Sequence, residues 1–73
     1  MYYRDNKFLL QFGANLKKIR KEKGISQEKL GNELNFSQTH IARIESGKTN
    51  TSISHVAAFA KALGIPVTAL FEF

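Results

Sequence analysis

The chain has 73 residues, so it is expected to form one small domain with a narrow stability margin. It contains no cysteine, which excludes a disulfide framework and a cysteine-based zinc site. Lys and Arg number 11 against 6 Asp and Glu, a balance that favours a polyanionic partner such as DNA, although a charged face is often only a solvated one.

The first predicted helix runs from Asp5 or Asn6 to Lys23. Apolar residues recur there at steps of three and four, which gives one buried stripe. The stripe consists of Leu9, Phe12, Leu16 and Ile19. Gly24 follows and ends the helix, because glycine readily adopts a positive φ.

The second predicted helix is short. Ser26 is a good N-cap for it, and Leu30 and Leu34 form its inner face. It ends before Asn35, since asparagine is a common residue in the left-handed conformation and suits a tight turn.

A third helix is predicted from Gln38 to about Ser46. Ser37 is its N-cap candidate, Ile41 and Ile44 point inward, and Gly47 closes it. The second and third helices therefore form a helix-turn-helix over about residues 26–46.

The C-terminal part predicts two more helices. Thr51 or Ser52 is expected to cap the fourth, and Gly64 to end it. Its predicted stripe is Ile53, Val56, Ala57, Ala60 and Leu63. Pro66 suits the start of a last short helix, in which the inward residues are Val67, Leu70 and Phe71. The expected architecture is an all-α, compact five-helix bundle that forms a single domain over residues 1–73.

The third helix carries the candidate functional residues. Its predicted exposed side chains are Gln38, Thr39, His40 and Arg43. Gln pairs with adenine, Arg with guanine and a Thr methyl with thymine, and a recognition helix presents its N-terminal part to the bases. The plainer alternative is that these are ordinary surface residues, and His40 either touches DNA or faces solvent.

The motifs resemble those of the Cro/CI-type helix-turn-helix, also called the XRE family. The resemblance is carried by residues 25–30 (ISQEKL) and 37–48 (SQTHIARIESGK), with 16–20 (LKKIR) and 60–65 (AKALGI) on either side. It covers roughly Phe8 to Phe71 and implies a lambda-repressor-like DNA-binding fold.

The resemblance also implies roles for individual residues. Gln38, Thr39 and Arg43 would read bases, and Gln27 would touch a phosphate while bracing Gln38. Arg20 and Glu45 would form a partly buried ion pair between the first and third helices. The DNA backbone would be held by residues near the end of the third helix, namely Ser46, Lys48, Thr49 and Asn50.

Three positions depart from the family pattern. The family usually has alanine at the position of Gly31 and glycine at that of Asn35, and both changes are expected to be tolerated, with some loss of helix propensity at Gly31. The family often has proline at the position of Thr51, so the stiffness of that loop is in question.

The resemblance implies a sequence-specific transcriptional regulator, either a repressor or a dual repressor and activator, such as a restriction-modification controller or a phage-type repressor. A homodimer through the C-terminal helices would span a palindromic operator, with aromatic residues as one candidate for its contact surface. These aromatics are Phe59, Phe71, Phe73, Tyr2 and Tyr3, and they equally fit a core. RNA polymerase or a toxin is a compatible further partner. The alternatives are an antitoxin or a module that mainly binds another protein.

Other classes of function are not expected. The sequence has no nucleophile arrangement, no phosphate-binding glycine loop and no paired carboxylates, so neither an enzyme nor a cofactor is predicted. His55 has no second ligand at metal-binding spacing. The first residues do not form a signal peptide, and no apolar run is long enough for a membrane span, which leaves a cytoplasmic location. No sensor domain is expected, which favours regulation through the monomer–dimer equilibrium.

Overall fold

The computed structural model describes residues 3–73, so Tyr2, considered above for a contact surface, lies outside the described residues. The described chain is all-helical. Its elements are α1 (Asn6–Glu22), α2 (Gln27–Leu34), α3 (Gln38–Glu45), α4 (Ile53–Leu63) and a C-terminal 3-10 helix (Val67–Phe71). No helix within residues 3–73 combines the length and the apolar character needed to cross a membrane.

The predicted fifth helix is a 3-10 helix. Pro66 precedes it, and the Ala69 N–H donates to the Pro66 carbonyl at 3.0 Å. Five residues are too few for a stable α-helix of their own, and hydrogen bonds to the third residue back are typical of such short pieces. The expected five-helix bundle is therefore a bundle of four α-helices with a C-terminal 3-10 turn.

Side-chain caps begin every α-helix. The side-chain oxygens of Asp5, Ser26, Ser37 and Ser52 each accept a hydrogen bond from the backbone N–H three residues further on, at 3.0–3.1 Å. These contacts satisfy N–H groups that have no partner inside the helix. They confirm the helix starts predicted from the sequence, and they show that Ser52 rather than Thr51 caps α4.

The core lies between the four α-helices and the 3-10 helix: α3 packs against α1 and α2, α4 packs against α2, and the 3-10 helix packs against α1 and α4. It contains most of the predicted inward residues of the first three helices, and Ile19 and Leu34 pack against it partly buried, as does Phe36 from the turn between α2 and α3. Leu9, which was also predicted to face inward, is half-buried. Its buried members are Phe12, Leu16, Leu30, Ile41, Ile44, Val56, Phe59, Ala60, Leu63 and Leu70. Phe59 is thus a core residue and not part of a contact surface.

Four residues predicted to face inward are exposed: Ile53, Ala57, Val67 and Phe71. The buried stripe of α4 runs through Val56, Phe59, Ala60 and Leu63, so Ala57 lies beside it. Ile53 is the first residue of α4 and projects past the edge of the core with 89% of its surface exposed. In the 3-10 helix only Leu70 is buried, because its narrow inner face accommodates one side chain.

Candidate nucleic-acid interface

The turn between α2 and α3 is tight. Asn35 has φ 59°, the left-handed conformation predicted for it, and the Phe36 N–H donates to the Gly31 carbonyl at 2.7 Å. A Cβ at Gly31 would lie only 2.6 Å from the Phe36 carbonyl oxygen. This turn therefore leaves no room for the alanine that is usual in the family, so glycine at this position does more than lower helix propensity.

The first turn of α3 presents its polar side chains to solvent. Ser37 caps the helix, and Gln38 and Thr39 follow it as exposed residues. Arg43 is also exposed, one turn further along. The structure thus brings three of the four candidate base-reading residues onto one accessible part of α3.

The fourth candidate, His40, is half-buried against Phe36. The two ring centroids lie 4.5 Å apart, and Phe36 also meets His55 edge-on at 4.6 Å. Both histidines therefore contact the ring of Phe36, the residue that follows Asn35 in the turn. Within residues 3–73, no group of three His, Asp or Glu side chains is placed to hold a metal ion.

A chain of hydrogen bonds joins the core to α3. Arg20 donates to both Glu45 carboxylate oxygens, from Nε at 2.6 Å and from Nη2 at 3.0 Å, and from Nη1 to the Ile25 carbonyl at 2.8 Å. Gln27 Nε2 donates to Glu45 Oε1 at 3.0 Å, and Gln27 Oε1 accepts a longer bond from Gln38 Nε2 at 3.4 Å. A buried ion pair thereby orients the two glutamines at the protein surface.

The loop after α3 holds the candidate phosphate-binding residues. Lys48 is exposed, and Thr49 is half-buried with its hydroxyl 3.4 Å from the Asn50 carbonyl. Ser46 is exposed too, but its hydroxyl donates to the Ala42 carbonyl at 2.8 Å inside its own helix. A phosphate contact through the Ser46 hydroxyl would require that bond to break.

Three residues important for this arrangement were missed in the sequence. Gly13 lies where α1 crosses α3, and a Cβ there would overlap the backbone of α3. Asn15 is buried and donates from Nδ2 to the Ala69 and Leu70 carbonyls at 3.0 and 2.9 Å, which fastens the 3-10 helix to α1. Arg4 precedes all helices and donates to the Gly47 carbonyl. Of the three, only Gly13 could have been noticed in the sequence, because an isolated glycine within a helical pattern often marks a close packing contact.

A second surface of the protein is apolar. Phe8 contacts Phe71 and Phe73, with ring centroids 6.1 and 5.4 Å apart. Ile53 lines the same groove as Phe8 and Phe71. We call these four residues the apolar patch. Thr51 also lines the groove, and its buried hydroxyl oxygen has no hydrogen-bond partner among residues 3–73.

The helix-turn-helix family model matches residues 16–70 of this chain. That span contains α2, α3 and α4 together with the last seven residues of α1 and most of the 3-10 helix. It also contains every candidate DNA-contacting residue named above.

Similar proteins include controllers of restriction-modification systems. The control protein C.MunI of a Mycoplasma species is 37% identical over 68 residues, which is 92% of each chain. The crystal structure of the restriction-modification controller C.AhdI from Aeromonas hydrophila superposes with a TM-score of 0.82 at 33% identity, over 86% of this chain and 96% of that one. The controller C.Esp1396I, solved as a tetramer on its natural 35-base-pair operator, has a TM-score of 0.80 at 32% identity, over 93% of this chain and 90% of its own.

Proposed function

The chain belongs to the XRE-type helix-turn-helix family, and we propose that it is a sequence-specific transcriptional regulator of the kind that controls restriction-modification genes. The observation that carries this proposal is the exposed set on α3: Gln38, Thr39 and Arg43. These side chains suit base edges in the major groove. A helix that served mainly to bind a protein partner would present Leu, Phe or Met there, so this set favours the regulator over the interaction module.

Gln38 is the central base-reading residue of the proposal. An amide can make two hydrogen bonds to adenine, provided that its donor and acceptor atoms face the correct way. Gln27, fixed by Glu45, supplies an acceptor for the Gln38 amide nitrogen. This contact limits the rotation of Gln38 before DNA binds, which lowers the entropy lost in the complex.

The proposed phosphate contacts come from both ends of the helix-turn-helix. Lys48 and Thr49 approach the DNA backbone from the loop after α3, with Asn50 beside them, and Gln27 approaches from the start of α2. Ser46 contributes only when its hydroxyl releases the Ala42 carbonyl. His40 packs on Phe36, and we assign it the positioning of the turn with at most a peripheral base contact.

Replacing Gln38 by Ala tests the base-reading role. Wild-type protein is expected to prefer one base pair of its operator by about 1–3 kcal/mol, and Gln38→Ala is expected to lose that preference at that position alone. Fluorescence anisotropy on a set of single-base-pair operator variants measures this. Lys61→Ala, which removes an exposed side chain on α4, is the control and should keep the full preference. An equal loss of affinity on every sequence after Gln38→Ala would contradict the assignment.

The proposed active form is a homodimer in which two copies join through the apolar patch. A palindromic operator read by two recognition helices requires a two-fold partner, and a controller relative occupies its operator as a tetramer. The patch combines the most exposed large apolar side chain, Ile53, with exposed aromatics, a composition typical of interface centres. Phe71 and Phe73 of the patch belong to the C-terminal segment that was predicted to form the dimer. Phe8 and Ile53 lie in the first turns of α1 and α4.

Ile53→Asp is expected to weaken the dimer about 100-fold. Each copy loses an apolar side chain worth about 1.5 kcal/mol or more on burial, and a two-fold interface counts the loss twice. The fold should persist, because Ile53 is almost fully exposed and aspartate is favourable in the first turn of a helix. Sedimentation equilibrium gives the dimer dissociation constant. Ser54→Asp adds the same charge at the next exposed position and should dimerise normally. An unchanged dimer in Ile53→Asp would move the interface elsewhere.

The proposal places the protein on the nucleoid in the cytoplasm, where its operator is. A dimer bound beside a promoter blocks RNA polymerase or contacts it. RNA polymerase is therefore the protein partner that we propose in addition to the second copy of the chain. An antitoxin would instead be found with a toxin chain, and the controller relatives favour the regulator over that alternative.

A further inference from the structure

Arg4 links the segment before α1 to the loop after α3. Its Nη2 donates to the Gly47 carbonyl at 3.2 Å, across 43 positions of sequence. Gly47 is followed directly by Lys48 and Thr49, the proposed phosphate-binding residues. The N-terminal segment therefore reaches the part of the protein that faces the DNA backbone.

The position that Arg4 contacts is tightly packed. Gly47 is buried and has φ +72°, and a Cβ at this residue would lie 2.8 Å from Leu10 Cα. The loop thus begins in direct contact with α1, the helix that Arg4 precedes. The bond to the Gly47 carbonyl therefore places the Arg4 side chain beside the start of the loop that carries Lys48 and Thr49.

The Arg4 guanidinium has most of its N–H donors available for a further contact. Within residues 3–73 the single ion pair is Arg20 with Glu45, so Arg4 has no carboxylate partner there. The adjacent Asp5 uses its carboxylate to accept from the Phe8 N–H at the start of α1. Arg4 is exposed, and a guanidinium has five N–H donors in a fork that matches phosphate geometry. One donor to Gly47 leaves the others for a second acceptor.

We propose that Arg4 is a further DNA contact, which binds a backbone phosphate next to the one held by Lys48 while its bond to Gly47 fixes its position. This inference rests on the proposed function. It extends the DNA-binding surface from the helix-turn-helix to the residues before α1.

The test is the salt dependence of operator binding by three variants. Arg4→Ala removes both the charge and the bond to Gly47, whereas Arg4→Gln removes the charge and keeps an amide donor for the carbonyl. Lys18→Ala removes the same charge from the far part of α1, where the neighbouring residues are Ile65, Ala69 and Glu72. Association constants are measured by anisotropy over a range of salt concentrations, on the operator and on unrelated duplex.

A lost phosphate contact lowers the slope of log affinity against log salt by about 1 and weakens all sequences similarly. We expect this change for Arg4→Ala and Arg4→Gln, and a near wild-type slope for Lys18→Ala. Weakening of Arg4→Ala without any change in slope, or a full slope in Arg4→Gln, would show that Arg4 only supports the loop and would overturn the inference. Failure of the wild-type chain to bind duplex DNA would instead overturn the proposed function itself.

Discussion

Arg20→Ala is expected to lower the free energy of unfolding by about 3–5 kcal/mol, because it leaves the Glu45 carboxylate buried without its cation. Arg20 and Glu45 are each only 6% exposed. Arg20 supplies two of the three hydrogen bonds that the carboxylate accepts, and the third comes from Gln27. A chain of this size has a total stability of roughly 4–11 kcal/mol, so urea denaturation should detect the loss as a large shift in midpoint.

The matched control replaces both charges with apolar side chains of similar size, Arg20→Met together with Glu45→Leu. A buried pair removed as a whole leaves no unpaired charge, so the double variant should be much more stable than Arg20→Ala. It should nevertheless bind its operator less selectively, since Gln27 loses the acceptor that orients it toward Gln38. A double variant as unstable as Arg20→Ala would show that packing around Arg20, and not an orphaned charge, determines the loss.

Gly13→Ala is expected to destabilise the protein by about 2 kcal/mol or more, against the direction that helix propensity predicts. Alanine is the better helix former by about 1 kcal/mol. A Cβ at this position, however, would overlap the Ile44 carbonyl and lie 2.5 Å from the Glu45 carbonyl oxygen. Both obstacles are backbone atoms that no rotamer change can move, and overpacking typically costs about 1–3 kcal/mol and sometimes more. Separation of α1 from α3 would also pull Glu45 away from Arg20.

Ala14→Gly provides the reference for Gly13→Ala. Ala14 is exposed on the next position of α1, so this change should cost only the propensity difference of about 1 kcal/mol. Thermal and urea denaturation of both variants give the comparison. Stabilisation by Gly13→Ala would mean that α1 and α3 are not in close contact at this crossing.

The helix boundaries were predictable because their signals are local. A capping serine, a left-handed asparagine or a terminal glycine acts through its own neighbours, so Ser26, Asn35 and Ser37 mark the same positions in sequence and structure. The exposed polar face of α3 was predictable as well, because Ile41 and Ile44 fix which side of the helix is buried.

The missed features depend on contacts between distant segments. Ile53 continues the apolar spacing of α4, so the sequence pattern predicts that it is buried. It is exposed because the core does not extend to the first residue of this helix. Asn15 is adjacent to Ala14 and Leu16 in the sequence, where nothing indicates a hydrogen-bonding role. Its partners, the carbonyls of Ala69 and Leu70, lie 54 and 55 residues further along the chain. Arg4 likewise meets Gly47 across the fold. Periodicity specifies a face of a helix, but it contains no information about what that face meets.

Selection of bound sequences from a random duplex library, repeated at two salt concentrations, shows whether this protein reads a specific DNA sequence as a dimer. We expect a palindrome whose half-sites lie about one helical turn apart, with weaker recovery at the higher salt concentration. Recovery of no common motif at either salt concentration would contradict this expectation and would favour a protein partner as the main ligand.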